Sequence, residues 1–207
     1  MKTLINFEKL KIEKKNIIIN AGLEVFSDYG YEQAPTDLII KKARISKGAL
    51  FHYFGNKENF FVYLFDYATS ELISKVNPAP QHPGMDIFDY LPYITKQKVQ
   101  LLTEYPYLMN FMMKAYEQNF QLLKEKGGID FFENYQKHSN FIFQEIDFST
   151  LKEGIPKETF LSWVSMISQG FVQSYTQFPD EHKIRLIEDL YLLFDHLKKN
   201  FRKEQPK

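Results

Sequence analysis

Apolar positions recur along this chain at three- and four-residue intervals, and the pattern predicts an all-α protein of about nine helices. From near Glu13 to Tyr29, the residues Ile18, Ala21, Gly22, Val25 and Tyr29 share one face, with Ile17 and Phe26 beside them and Gly30 as a C-terminal stop. A long helix from Glu58 to about Val76 follows the same logic through Phe61, Leu64, Phe65, Ala68, Leu72 and Val76. Three prolines and a glycine within Asn77 to Gly84 then mark the clearest linker. Further helices are expected over Asp86 to Glu104, Tyr107 to about Lys126, and Ile129 to Ile146, then a loop from Asp147 to Pro156. Pro106 stands at a helix start, and Gly127-Gly128 at a stop. The last two helices, Lys157 to Gln177 and Glu181 to Phe201, are separated only by Phe178-Pro179-Asp180.

The final helix is apolar over a wide arc. Leu186, Leu190, Leu193, Leu197 and Phe201 form one stripe, and Ile184, Ile187, Tyr191 and Phe194 form a second. Such an arc buries two faces: one against its own domain, the other against a partner subunit or within an unusually thick monomeric core. Met1 to Lys11, with Lys2, Lys9 and Lys11, reads as an ordered first turn, a frayed tail or an arm reaching DNA phosphates.

The stretch from Thr36 to Lys57, TDLIIKKARISKGALFHYFGNK, has a different grammar. Thr36 can cap a short helix with Asp37 in its first turn, where the helix dipole favours negative charge. Arg44 and Ile45 break the rhythm, Ser46 offers a second cap, and Asn56 a third ahead of Lys57-Glu58. Two very short helices around a tight turn, leading into a longer one, describe a helix-turn-helix whose second helix enters the DNA major groove.

The residues around it carry a more specific likeness. Ile17-Ile18, Ala21-Gly22, Val25-Phe26 and Tyr29-Gly30-Tyr31 precede Thr36; Ile45-Ser46-Lys47-Gly48, Phe51-His52-Tyr53-Phe54 and Asn56-Lys57-Glu58 follow it. Over about residues 12 to 65 this resembles the N-terminal domain of the TetR family of bacterial transcriptional repressors. The resemblance implies a DNA-binding domain over 1–58 and a larger helical ligand-binding and dimerisation domain over 59–207. It implies phosphate or base contacts for Thr36, Ser46, Lys47, Gly48, His52, Tyr53 and Lys57, with Tyr53 and Lys57 as the leading phosphate anchors. It also implies a four-helix dimer interface from the last two helices, here through Leu186, Leu190, Leu193 and Leu197. Two positions depart from the pattern. Phe51 stands where the family commonly has Tyr, removing a hydroxyl able to bind phosphate. Ala49 can offer only apolar readout, for instance to a thymine methyl, which shifts weight onto DNA shape.

Composition changes this picture little. Hydrophobic residues at 44% and charged residues at 25% are ordinary for a globular protein, and net charge is zero. The sign is divided, however: residues 1–58 hold 10 Lys/Arg against 7 Asp/Glu, which suits a DNA-binding end. Cysteine is absent, no apolar run approaches a membrane span, and the first residues are too charged for a signal peptide, so a cytoplasmic location is expected. The rings stand out: 20 Phe and 13 Tyr, most of them downstream of the DNA-binding segment. Phe111, Met112, Tyr116, Tyr135, His138, Trp163, Met166 and Phe171 are the candidates for a mostly apolar pocket taking a small hydrophobic or aromatic effector. Lys98 is expected to pack by its stem, and Gly170 either permits close helix packing or leaves room for a ligand. The five histidines show no metal spacing, and no P-loop, GxSxG or GxGxxG is present, so neither an enzyme nor a cofactor is expected.

The expected function is therefore a dimeric repressor that binds a near-palindromic double-stranded DNA operator and is released by a small apolar ligand, with no membrane partner. Two alternatives stand beside it: a ligand-independent DNA-binding regulator such as an activator, and a helical small-molecule-binding protein whose first domain no longer reads DNA.

Overall fold

Because its apolar residues follow the helical period, the chain folds into helices. A computed structural model describes residues 4–76, 84–126 and 144–204 of the 207. Nine helices lie within those residues: α1 Leu4–Glu8, α2 Ile12–Gln33, α3 Thr36–Ala43, α4 Lys47–Phe54, α5 Lys57–Val76, α6 Ile87–Glu104, α7 Leu108–Glu125, α8 Lys157–Gln177 and α9 Asp180–Phe201. The expected helix over Ile129 to Ile146 and the expected linker lie largely outside the described residues. None of the described helices is long and apolar enough to cross a membrane.

Packing groups the chain into two units: Met1–Lys75 with Gln100–Gln136, and Val76–Val99 with Lys137–Lys207. The division into 1–58 and 59–207 concerned roles; in packing, α5 and α7 belong with the helix-turn-helix.

In the first unit α2 is the central rod, with α3 on one side and α7 on another. Its core is aromatic. The Phe26 ring lies 5.1 Å from Phe61 and 6.2 Å from Phe111, and Phe54 lies 4.5 Å from Phe60. Gly22 is what lets α5 come close: a Cβ there would stand 2.5 Å from Leu64 Cδ1 and 2.6 Å from the Phe60 ring. Gly30 does not end its helix as expected. It takes φ 71° and ψ 169°, which breaks the helix, and one more turn then runs on to Gln33. Thr36 is likewise not a cap: Pro35 holds the N-cap position of α3 and Thr36 is the first helical residue.

The second unit packs α8 against α9, with the first turns of α6 beside them through the Phe88–Phe160 ring pair at 5.5 Å. Charged ties hold α6 to α9: Lys198 to Asp89 at 2.6 Å, and Arg202 to the nearly buried Asp86 at 3.1 Å. Residues 146–156 form the expected irregular connection, and single β-bridges join Asp86 to Asp147 and Leu151 to Arg202.

Candidate functional site

The turn between α3 and α4 is short because Arg44 enters the left-handed region, φ 54° and ψ 46°, where a non-glycine residue is strained. The Lys14 ammonium of α2 donates to the Arg44 carbonyl at 3.0 Å and holds that turn from outside. Ser46 then caps α4 as expected, its Oγ accepting from the Ala49 amide at 3.1 Å, and Asn56 caps α5 through the Asn59 amide at 2.7 Å. Leu50 and Phe54 turn into the core, as their spacing in α4 requires.

What remains on the surface of α4 is the set the sequence singled out. Ser46, Lys47, Gly48 and His52 are exposed, while Thr36, Tyr53 and Lys57 are half-buried. Lys47 pairs with Asp37 at 3.5 Å, and both side chains are well exposed, so the pair is weak. A Cβ added at Gly48 would meet nothing closer than Ser46 Oγ at 3.9 Å; no internal contact calls for glycine there. Lys57 is already occupied: its ammonium donates to the Glu32 carbonyl at 3.1 Å and sits 5.3 Å from the centre of the Tyr31 ring. Burial pulls its pKa below the usual lysine value, with the nearby Glu32 acting in the opposite sense. A phosphate contact by Lys57 would require it to leave that place.

Sequence reasoning missed how the first residues act. The short helix α1 docks on α4 through Phe7, which is fully buried against Phe54 at 4.9 Å, Tyr63 at 5.4 Å and Tyr53 at 5.9 Å. The Asn6 side-chain amide lies 3.0 Å from His52 Nε2. Glu8 accepts from the Tyr63 hydroxyl at 3.2 Å and pairs with Lys15 at 2.7 Å. Two residues of the candidate DNA-contacting set, His52 and Tyr53, are thus braced from the N-terminus. The available signal was the run of apolar residues Leu4, Ile5, Phe7 and Leu10 within the basic lead-in.

The other candidates fall apart by place. Phe111, Met112 and Tyr116 are in the first unit, and Phe111 is core against Phe26 and Phe61. Trp163, Met166 and Phe171 are in the second unit, where Phe171 is buried, Trp163 is at the surface and Met166 is exposed. Tyr135 and His138 lie outside the described residues. A polar, open hollow of about 370 Å³ lies along the end of α2 and α7, lined by Tyr29, Gly30, Lys114, Gln118 and Asn119 among others; none of the eight candidates is in its wall. On α9, Leu190 is buried within its own unit, Leu186 and Leu197 are half-buried, and Leu193 is exposed.

A short helix, a tight turn and a second short helix capped at an exposed N-terminus, all carried on α2, define a helix-turn-helix domain in an all-helical protein. Residues 18–64 match the family model for bacterial regulatory proteins of the tetR family, and the chain carries that family's N-terminal domain. The chain is 31% identical over 70 residues to the uncharacterized HTH-type transcriptional regulator YhgD of Bacillus subtilis, covering 34% of this chain and 37% of that protein. It is 42% identical over 69 residues to the A-factor receptor protein of Streptomyces griseus, covering 33% of this chain and 25% of the receptor. The matches therefore span between 25% and 37% of those relatives' own length. The whole fold is similar to the transcriptional regulator FadR of Bacillus subtilis, solved in complex with stearoyl-CoA, with TM-score 0.58 and 20% identity over 90% of this chain and 97% of that one. At that identity the likeness is one of fold.

Proposed function

We propose that this protein is a transcriptional repressor that binds a near-palindromic operator as a homodimer and releases it when a small molecule binds the helical remainder of the chain. One observation carries the reading: Ser46, Lys47 and Gly48 stand exposed at the capped start of α4, in a segment that matches the tetR family, while Leu50 and Phe54 anchor that helix from behind. Free amides at that helix start and the Lys47 ammonium suit phosphate and guanine edges, and Tyr53, braced by Phe7, supplies a ring and a hydroxyl beside them.

For the ligand to release DNA it must bind the DNA-incompetent state better, and a coupling of about 1–3 kcal/mol gives roughly 5- to 150-fold weaker operator binding. The A-factor receptor and the stearoyl-CoA complex of FadR support a ligand-responsive reading by likeness. The unpartnered apolar residues of α9, Ile184, Leu192 and Leu193, support a partner subunit.

The test is binding of the purified protein to DNA upstream of its own gene, across a salt series. Tight binding at a two-fold symmetric footprint that weakens steeply with salt is expected. Weak binding that ignores sequence, unchanged by Lys47→Ala, would end the DNA-binding reading.

A further inference from the structure

The second unit holds a lysine where a lysine is expensive. Lys98 lies in α6 on the side that carries the buried Leu91, Ile94 and Thr95, and its ammonium donates to Ser168 Oγ of α8 at 2.8 Å. An ammonium has three N–H donors, and Ser168 is its one hydrogen-bond acceptor among the described residues. No carboxylate among those residues pairs with it. The side chain keeps part of its surface accessible although protein surrounds the charged end. That enclosure pulls its pKa to about 8, so at neutral pH it remains mostly charged, with no counter-ion among the described residues.

A structural lysine of this kind is normally paired with an acid, because an unpaired charge in low dielectric is costly. Here the compensating anion is missing from the described protein. One turn along α8 from Ser168 stands the buried Phe171, with Tyr175 a further turn on. A positive end with a hydrogen-bond partner, next to apolar and aromatic side chains, matches a molecule with an apolar body and one anionic head.

We propose that Lys98, steadied by Ser168, is the head-group recognition residue of the effector site, and that the effector is an amphiphilic acid rather than a neutral hydrophobe. This rests on the ligand-responsive reading above and narrows its ligand class.

The probes are laurate and 1-dodecanol below their aggregation limits, which share a chain and differ in head charge. Binding is read calorimetrically and by fluorescence of Trp163, the single tryptophan, five residues before Ser168 on α8. Wild type is expected to bind laurate at least tenfold tighter than dodecanol. Lys98→Met should reduce that preference to threefold or less while keeping dodecanol affinity, Lys98→Arg should restore most of it, and Ser168→Ala should weaken it less than Lys98→Met does. Equal affinity for the two probes in wild type overturns the proposal, as does a preference that survives Lys98→Met, or the absence of binding to either. Operator binding measured on the same preparation separates the failures: retained operator binding without a laurate preference removes only the amphiphilic acid, whereas lost operator binding removes the regulator reading itself. Lys98→Met deletes a desolvated charge, so its melting temperature should equal or exceed that of wild type; a variant that fails to fold leaves Lys98→Arg and Ser168→Ala to decide.

Discussion

The side-chain amide of Asn6 lies 3.0 Å from Nε2 of His52, joining α1 to the helix that carries the candidate DNA contacts across 46 residues of sequence. The next residue, Phe7, is fully buried between Tyr53, Phe54 and Tyr63, so α1 is an integral part of the helix-turn-helix domain. Phe7→Ala should destabilise the protein by about 3–5 kcal/mol in urea unfolding, the range for removing a buried phenyl ring. Asn6→Ala, which breaks an exposed contact, should cost under about 1 kcal/mol. If Asn6 positions His52, that variant nevertheless loses operator affinity. Unchanged affinity would reduce Asn6 to a surface contact.

Gly48 separates stability from function. Nothing in the protein crowds a Cβ there, and alanine is the better helix former, so Gly48→Ala should raise stability by up to about 1 kcal/mol. A DNA backbone packed against α4 would meet the added methyl, and operator affinity should fall at the same time. A variant both more stable and fully competent in DNA binding would show that no backbone approaches this point.

Lys47 and Lys57 should behave differently although both were read as DNA contacts. Lys47→Ala removes one exposed charge and should lower the slope of log affinity against log salt by about 1, with little change in stability. Lys57→Ala also removes the donor to the Glu32 carbonyl and the cation over Tyr31, so thermal unfolding should come earlier. Equal melting temperatures for the two variants would contradict this arrangement.

Lys98 gives a pH signature independent of any ligand. Its folded pKa of about 8 lies below the ordinary 10.5, so between those values the unfolded chain holds more protons than the folded one. Stability contributed by this group therefore rises with pH across that window, and its penalty is fully present below it. The gain in melting temperature from Lys98→Met should accordingly be larger at pH 7 than at pH 9.5. Tyr63 and Tyr105, whose hydroxyls are held above the usual tyrosine range chiefly by burial, are common to both proteins and cancel in the comparison. A gain independent of pH would place the ammonium in water.

The side of α9 that the proposed homodimer would bury can be told from its core side. Ile184 and Leu192 expose 67% and 56% of their surface, whereas Leu190 exposes 7%. Ile184→Glu with Leu192→Glu should turn a dimer into a folded monomer in analytical ultracentrifugation. Leu190→Ala should instead cost about 2–5 kcal/mol of stability. A double glutamate variant that remains dimeric would move the interface elsewhere.

The helices and the helix-turn-helix were determined by the sequence itself, because both rest on short-range physics. Helical period, the caps at Ser46 and Asn56, and the inward spacing of Leu50 and Phe54 act within one or two turns. Only tertiary structure decided the rest. Pro35 displaced Thr36 as cap, and Gly30 broke α2 without ending it, because packing beyond the turn chose among locally acceptable conformations. The docking of Phe7 on α4 and the meeting of Lys98 with Ser168 span 46 or more residues, and no local pattern encodes which distant surface a side chain will meet. On α9 the leucines looked alike in sequence; only the neighbouring helices determined that Leu190 is core while Leu193 faces outward.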